Sequence, residues 1–238
     1  MAIVGAGGCG CEAALRLARS GHDVLLVTTS LDSVFAAPAG RVAAEAPTGT
    51  LMDELLGELR PDASGTVASW DLHAAAKYRI EAERNVHLLQ SSVDGLVLDG
   101  RVTLGIETWE GIARHARSVA LCVGPFLRAR LRSGLVEEHA GRPGEMAYDS
   151  LAEDLARRGV ELTEASDAGG GTVGEAEVPP WSLRFLRVAD AAVDGVRIRA
   201  IGRLYAAGIC VRGPQPYADA AMDGARLATV LESDLRGD

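Results

Sequence analysis

Short uninterrupted apolar runs alternate with helical stripes along this chain. Ile3-Val4 leads into a cluster of glycines, after which Leu15, Leu17 and Ala18 recur at helical spacing until Gly21 stops the helix. Val24-Leu25-Leu26-Val27 is then a continuous apolar run of the kind buried in parallel strands. Strand, turn, helix and strand fit within about 30 residues, the size of one βαβ unit. Leu51 to Leu59 reads as a short helix ended before Pro61. Val67 to Glu83 reads as a longer one, with apolar or small residues at 68, 72, 75, 76 and 80. Between them and the second strand, Leu31 to Thr50 is rich in Ala, Pro and Gly without a period, which predicts a long functional loop.

Further along, Val86 to Gln90 and Val93 to Leu98 read as strands. Asp99-Gly100 is a hairpin signal before the alternating Val102 to Thr108, so a β-meander is expected over about 93–117. Ser118 to Gly124 is a return to the parallel sheet, Leu151 to Arg158 a helix, and Val160 to Thr163 a short strand. Asp167 to Gly174, with its Gly169-Gly170-Gly171 triplet, reads as a flexible loop. Leu183 to Val188 and Val196 to Ala200 read as strands. Leu204 to Gly208 is a final buried strand feeding a helix from Tyr217 to about Leu231. The expectation is an α/β, Rossmann-like fold: a parallel sheet flanked by helices, with an antiparallel meander inserted in a single domain spanning 1–238.

Composition narrows the class. A 47% hydrophobic fraction supports a real core, and no apolar run reaches the about 18 residues of a membrane span. With no basic-then-apolar leader before the first strand, the reading is a soluble cytoplasmic protein without a membrane partner. A net charge of −9 argues against a broad nucleic-acid surface; Arg128, Arg130 and Arg132 form the one basic stripe, which a solvated edge explains equally well. Four cysteines, at 9, 11, 122 and 210, are too few and too irregular for a disulfide framework. His22, His73, His87, His115 and His139 are never paired at metal-ligand spacing, so no metal site is expected.

The chemistry lies at the start. Gly5, Gly7 and Gly10 fit G-x-G-x-x-G, in which one glycine makes the turn, one lets backbone approach a pyrophosphate, and one lets helix pack on strand. The helix that follows would aim unpaired N–H groups and its positive dipole end at the phosphates. A dinucleotide is therefore the expected ligand. Strand ends at Gly124 and Gly208 offer further places for backbone to approach it.

Three separated blocks resemble the glucose-inhibited division protein A family (GidA, also called MnmG), flavoproteins that modify the wobble uridine of tRNA. They are Gly5-Ala6-Gly7-Gly8-Cys9-Gly10-Cys11-Glu12-Ala13-Ala14 continued by Leu25 to Asp32, then Ala120 to Leu127 with Gly141-Arg142-Pro143-Gly144, then Leu204 to Gly208 with Gly213 to Ala221. The resemblance implies FAD, extended along the carboxyl edge of the sheet. Gly5, Ala6, Gly7, Gly8 and Gly10 would hold the pyrophosphate, with the Cys9 amide as a further donor. Thr28, Thr29 and Ser30 would face the adenosine ribose, where the general fingerprint has an acid. Val93 would contact adenine, Val123 and Gly124 would let the chain pass the cofactor, and Gly208, Ile209 and the helix at Tyr217 would lie at the isoalloxazine end, where a helix dipole favours negative charge on reduced flavin.

Departures from the family pattern matter equally. Where the family has a cysteine in a Met-Ser-Cys-Asn-Pro-like segment, this chain reads Phe35-Ala36-Ala37-Pro38-Ala39-Gly40; Ile209 replaces a glutamine and Pro216 a glycine. The family's second domain and tRNA-binding tail have no room in this sequence. What remains implied is the flavin site without tRNA activity of this chain alone. The leading reading is an FAD-dependent oxidoreductase acting on an unidentified small molecule or redox partner. A non-catalytic flavin-binding or tRNA-modification accessory protein is the alternative, and a weaker one is a fold that binds NAD alone.

Individual side chains divide the same way. Cys210, beside the expected flavin end, reads as a small apolar filler before it reads as a reactive thiolate. Glu12 reads as a dipole or packing partner, Arg41 as either a balance for flavin charge or a solvent-facing arginine, and Tyr217 as a side chain packed near the flavin. Trp70, Trp109 and Trp181 read as core or interface residues.

Overall fold

The computed structural model describes residues 1–37, 40–173 and 176–237. The chain opens with β1 (Ala2–Val4), α1 (Gly8–Arg19) and β2 (Val24–Thr28). Strands β3 (Arg41–Ala43) and β4 (Thr66–Ala68) pair antiparallel around α2 (Leu51–Leu59), before α3 (Ser69–Ala82) and β5 (Val86–Gln90). The meander is β6 (Val93–Asp99), β7 (Val102–Thr108) and β8 (Ala113–His115), all antiparallel. After β9 (Val119–Leu121) come β10 (Arg130–Ser133), β11 (Val136–Glu138), the small ribbon β12 (Ala140–Arg142) and β13 (Glu145–Met146), and α4 (Asp149–Arg157). A long hairpin, β14 (Leu162–Val173) and β15 (Ala176–Val188), precedes β16 (Val193–Asp194), β17 (Arg197–Ile198), β18 (Leu204–Ala206), α5 (Ile209–Arg212) and α6 (Tyr217–Gly237).

The central sheet has the order β16-β17-β18-β9-β1-β2-β5. The five strands from β18 to the β5 edge are parallel, with Ala2 opposite both Leu25 and Val119, and Val119 opposite Leu204. Parallel strands are covered on both faces, which is why their sequences read as continuous apolar runs. Alternation still divides them: Ile3 and Leu26 belong to a core with Leu15, Leu17 and Leu227, whereas Ala2, Val4 and Val27 face Leu96, Ile106, Leu151 and Leu155. The first layer is helical, from α1 and α6. The second is α4 packed on the meander, tied by Asp154, whose buried carboxylate accepts from the Leu96 amide at 3.0 Å. Among the described residues no helix is long and apolar enough to cross a membrane.

Three local expectations are corrected. The expected flexible loop at 167–174 is extended strand as far as Val173, with Asp167 opposite Leu183 and Gly169 opposite Trp181; Gly174 lies outside the described residues. Glycines there serve a strand: a Cβ on Gly169 would lie 2.7 Å from the Trp181 ring, and the register shifts between Gly169 and Gly171 at a bulge. Val67 and Ala68, expected in a helix, are the end of β4, and the helix begins at Ser69. The expected loop at 31–50 carries β3, and its Val34 and Phe35 are fully buried. Pro38 and Ala39 lie outside the described residues. A second sheet, order β11-β10-β15-β14, stands over the carboxyl end of the first with its own small core of Ala129, Leu131, Ala140, Leu183 and Phe185.

Candidate functional site: a cleft at the carboxyl edge of the sheet

Each glycine of the first turn meets a different constraint. Gly5 has φ +103°, and a Cβ there would fall 2.3 Å from the Cys122 carbonyl oxygen, so β1 and β9 could not close beside a side chain. At Gly10 the same atom would lie 1.9 Å from the Gly5 oxygen, which identifies this glycine as the point where α1 rests on the turn. Gly7 has nothing within 4 Å of that position. It is the N-cap of α1 without a side-chain cap, and the first intrahelical bond runs from the Cys11 amide to the Gly7 carbonyl at 2.9 Å. The amides of Gly8, Cys9 and Gly10 therefore have no acceptor within the helix.

Gly7 and Gly8, at this helix start, line a cleft of about 460 Å³ between the central sheet and the second one. That volume is within the range of small-molecule and cofactor sites, about 300–1,000 Å³. Gly5, Ala6, Gly7 and Gly8 line it together with Thr28 and Thr29, Val123 and Gly124, and Ile209 and Tyr217; a Cβ on Gly8 would lie 3.7 Å from the Tyr217 ring, so the N-termini of α1 and α6 meet beside the cleft. The remaining expected residues lie behind this lining. Cys9 is buried, its thiol 3.7 Å from Cys122 Sγ, and Gly10, in the first turn of α1, is buried against Gly5. Ser30 caps the turn at Leu31–Ser33 by accepting from the Asp32 amide at 3.2 Å. Val93 is buried in the meander core. Gly208, at φ +79°, packs where a Cβ would be 3.2 Å from Cys9 Cβ.

Several lining side chains carry no signal in pattern or spacing. Ser33 enters the cleft because Thr28 Oγ1 donates to the Ser30 carbonyl at 3.0 Å and folds the turn back. Arg142, visible in the sequence only as part of a motif, lines the cleft and donates to the Ala36 carbonyl at 3.1 Å while pairing with Glu145 at 3.1 Å. Arg41 is elsewhere, engaged with Asp62 and with Thr66 Oγ1 at 2.7 Å, so its solvent-facing alternative holds. Tyr148 is buried, its ring among the core and its edge on the cleft, and burial pushes its hydroxyl pKa well up. Trp181 reaches the cleft from β15, whereas Trp70 and Trp109 are exposed at 69% and 66% and belong to no core.

Tyr217 ties α6 to the segment after β2. Its hydroxyl donates to the Ala36 carbonyl at 2.5 Å, and its ring stands 6.0 Å from Phe35, tilted by 52°. Burial pushes its pKa up to about 12. Burial also raises the Cys210 thiol to about 12, with Sγ 3.2 Å from the Leu121 carbonyl, so the filler reading of that cysteine holds. The Cys9 thiol is raised by its bond to Cys122 and then by burial. Glu12 is a packing partner: its buried carboxylate accepts from the Leu51 amide at 2.6 Å, at the start of α2, and pairs with Arg16. Among the described residues no group of three or more His, Cys, Asp or Glu is arranged to hold a metal.

A glycine turn and helix N-terminus at the carboxyl edge of a parallel sheet, facing a cleft that runs to the last helix, define a Rossmann-type dinucleotide-binding flavoprotein. The chain belongs to the family described as Glucose inhibited division protein A, whose profile matches residues 1–57 and 65–173. It is 30% identical over 184 residues to the tRNA uridine 5-carboxymethylaminomethyl modification enzyme MnmG of Pelobacter propionicus, a match covering 67% of this chain and 29% of that protein. The chain thus spans under a third of the length of the curated relatives it matches. The crystal structure of the GidA-related protein from Thermus thermophilus superposes with a TM-score of 0.84 at 36% identity, covering 98% of this chain and 97% of that one. Aquifex aeolicus GidA superposes at 0.80 with 13% identity over 96% of this chain and 62% of its own. Family and fold together make this an FAD-binding protein related to tRNA-modifying flavoproteins.

Proposed function

We propose that residues 1–238 form one domain that binds FAD in this cleft and serves as an FAD-dependent oxidoreductase. The observation that carries it is a single cleft lined both by the uncapped N-terminus of α1 and by the starts of α5 and α6 at Ile209 and Tyr217. The cavity fits the group, since Gly7 leaves open space where a diphosphate would approach. Amides of Gly8, Cys9 and Gly10 would hold the diphosphate, Thr28 and Thr29 the ribose side, and Val123 and Gly124 the middle of the cofactor. Gly208 and Ile209 would lie at the isoalloxazine end. Bound FAD supplies hydride or electron transfer. Around it, Tyr217 and Arg142 hold the 34–37 segment by its Ala36 carbonyl, and Phe126 and Trp181 exclude water from the walls. At neutral pH Tyr217 keeps its proton, so its hydroxyl remains a donor.

Reconstitution with FAD, followed by an absorption spectrum and identification of the nucleotide released on denaturation, tests this reading. A chain that stays colourless, or that takes NAD in preference, overturns it. Turnover with a reductant and an acceptor then tests the oxidoreductase role.

A second reading is favoured by the sulfur chemistry. Its four cysteines are all buried, and the segment at 35–40 has none where the family's cysteine falls. This supports a flavin-binding accessory whose partner supplies the thiol and the tRNA surface. Co-purification with a tRNA-modifying partner, and no turnover by the chain alone, would favour it. Either reading carries a cytoplasmic location, which fractionation checks.

A further inference from the structure

We propose that Gln215 is the acceptor that reads the N–H edge of the flavin ring, and that Asp223 is the positioning residue that sets the direction of its amide; this rests on FAD occupying the cleft. Gln215 lines the cleft, as do Ile209 and Tyr217. Its Nε2 donates to Asp223 Oδ2 at 3.2 Å, and the same atom lies 3.9 Å from the Cβ position of Gly208.

The direction of the amide follows from the chemistry of its partner. A carboxylate only accepts, so the nitrogen of Gln215 must face Asp223, and the carbonyl oxygen Oε1 is left to the cleft. Asp223 is itself buried and fixed. Its Oδ1 pairs with Arg212 Nε at 2.9 Å and lies 3.8 Å from Arg226 Nη1. Gln215 thus has one orientation, enforced from α6 by a carboxylate that α5 also holds.

What that oxygen suits is decided by its neighbours. Helix α6 opens at Tyr217, and its first bond of this end runs from the Ala220 amide to the Pro216 carbonyl at 3.1 Å, leaving the preceding amides as donors. A site with helix amides as donors beside one side-chain acceptor complements a ring edge that presents an N–H between two carbonyl groups. The pyrimidine edge of an isoalloxazine has that pattern; its dimethylbenzene edge has no polar group to read. An acceptor contributes to discrimination because a ligand that covers it without donating leaves it unpaired.

The test compares FAD with its N3-methyl analogue, in which the N–H is replaced, on the full chain and on Gln215→Ala, Gln215→Glu and Asp223→Asn. Dissociation constants come from flavin fluorescence, and melting of the apo-proteins checks folding. The expected result is that the parent chain prefers FAD by roughly 10-fold or more, the scale of one well-placed hydrogen bond whose loss leaves a partner unsatisfied. Gln215→Ala should lower that ratio to within about threefold while making room for the methyl group. Asp223→Asn, which accepts either amide orientation, should lower it partly. Retained discrimination in Gln215→Ala overturns the proposal, since the contact would then be made elsewhere, and so does an absence of discrimination in the parent chain. No FAD binding by the parent chain overturns instead the cofactor reading on which the proposal stands.

Discussion

Replacing Gly10 by alanine sets a methyl carbon 1.9 Å from the Gly5 carbonyl oxygen, a contact that only backbone movement relieves. Helix α1 is packed on β1, β2 and α6, so lifting it from the turn opens the core around Leu15 and Leu17. Overpacking costs about 1–3 kcal/mol and more where the obstacle is rigid. Alanine in a helix interior returns about 1 kcal/mol of propensity. The upper end of the first range applies here because the obstacle is a backbone carbonyl and the methyl is fixed directly to the helix backbone, which leaves a net loss of about 2 kcal/mol. For a chain of this size each kcal/mol is about 2–4 °C in Tm, so the expected drop is about 4–8 °C. Gly7→Ala is the comparison. Its methyl meets nothing within 4 Å, and φ at that position is −75°, which alanine adopts freely. A poorer N-cap is offset by a stiffer unfolded chain, giving a change within about 0.5 kcal/mol. That methyl occupies the space a diphosphate needs, and losing one charged hydrogen bond weakens FAD by about 10-fold or more. Melting of the two apo-variants and fluorescence titration with FAD measure both effects. If Gly7→Ala melts as low as Gly10→Ala, or binds FAD like the parent chain, the division of roles within the turn is wrong.

Further outcomes follow from buried polar groups. Glu12→Ala should cost about 2–4 kcal/mol in chemical denaturation, because it leaves the Leu51 amide unpaired and Arg16 without its carboxylate; Glu12→Gln, which keeps an acceptor for Leu51, should lose less. Tyr217→Phe removes the bond to Ala36 and should lower stability by about 1 kcal/mol, with faster proteolysis within 34–37 as the local readout. Glu54 is held below its ordinary pKa first by hydrogen bonds from Arg19, with Arg79 also against it, and Asp234 likewise by Arg197. Folded values below unfolded ones give stability that is complete above the ordinary carboxylate range and is lost as pH falls through the folded values. Urea midpoints should therefore fall below about pH 4.5, and Glu54→Gln should flatten that acid limb by no more than about 1 kcal/mol, since the pair is about a third exposed.

The parallel strands and the glycine turn were legible because local sequence decides them. Val24 to Val27 and Val119 to Leu121 are apolar on both faces and so need no partner to be recognised as buried strands. Gly5 and Gly10 lie at backbone contacts that no Cβ survives, and the spacing of the motif records those contacts directly. The second sheet was not legible in the same way. Asp167 to Val173 has the composition of a loop, and it is a strand because Trp181 and Pro180 on β15 fill the space its glycines leave. For the candidate site, Arg142 and Gln215 gave no periodic signal; each reaches the cleft by bonds across more than one element, to Ala36 and to Asp223.

Sequence alone therefore determined the sheet's inner strands, the turn that closes them and the dinucleotide class, since each depends on residues adjacent in the chain. Tertiary structure decided which arginine enters the cleft, that all four thiols are buried, and that Tyr217, 181 residues from Ala36, fastens the two together. The reason is physical. Hydrophobic period and backbone crowding act over a few residues, whereas the direction of a polar side chain is set by whichever distant donor or acceptor the fold brings within about 3 Å.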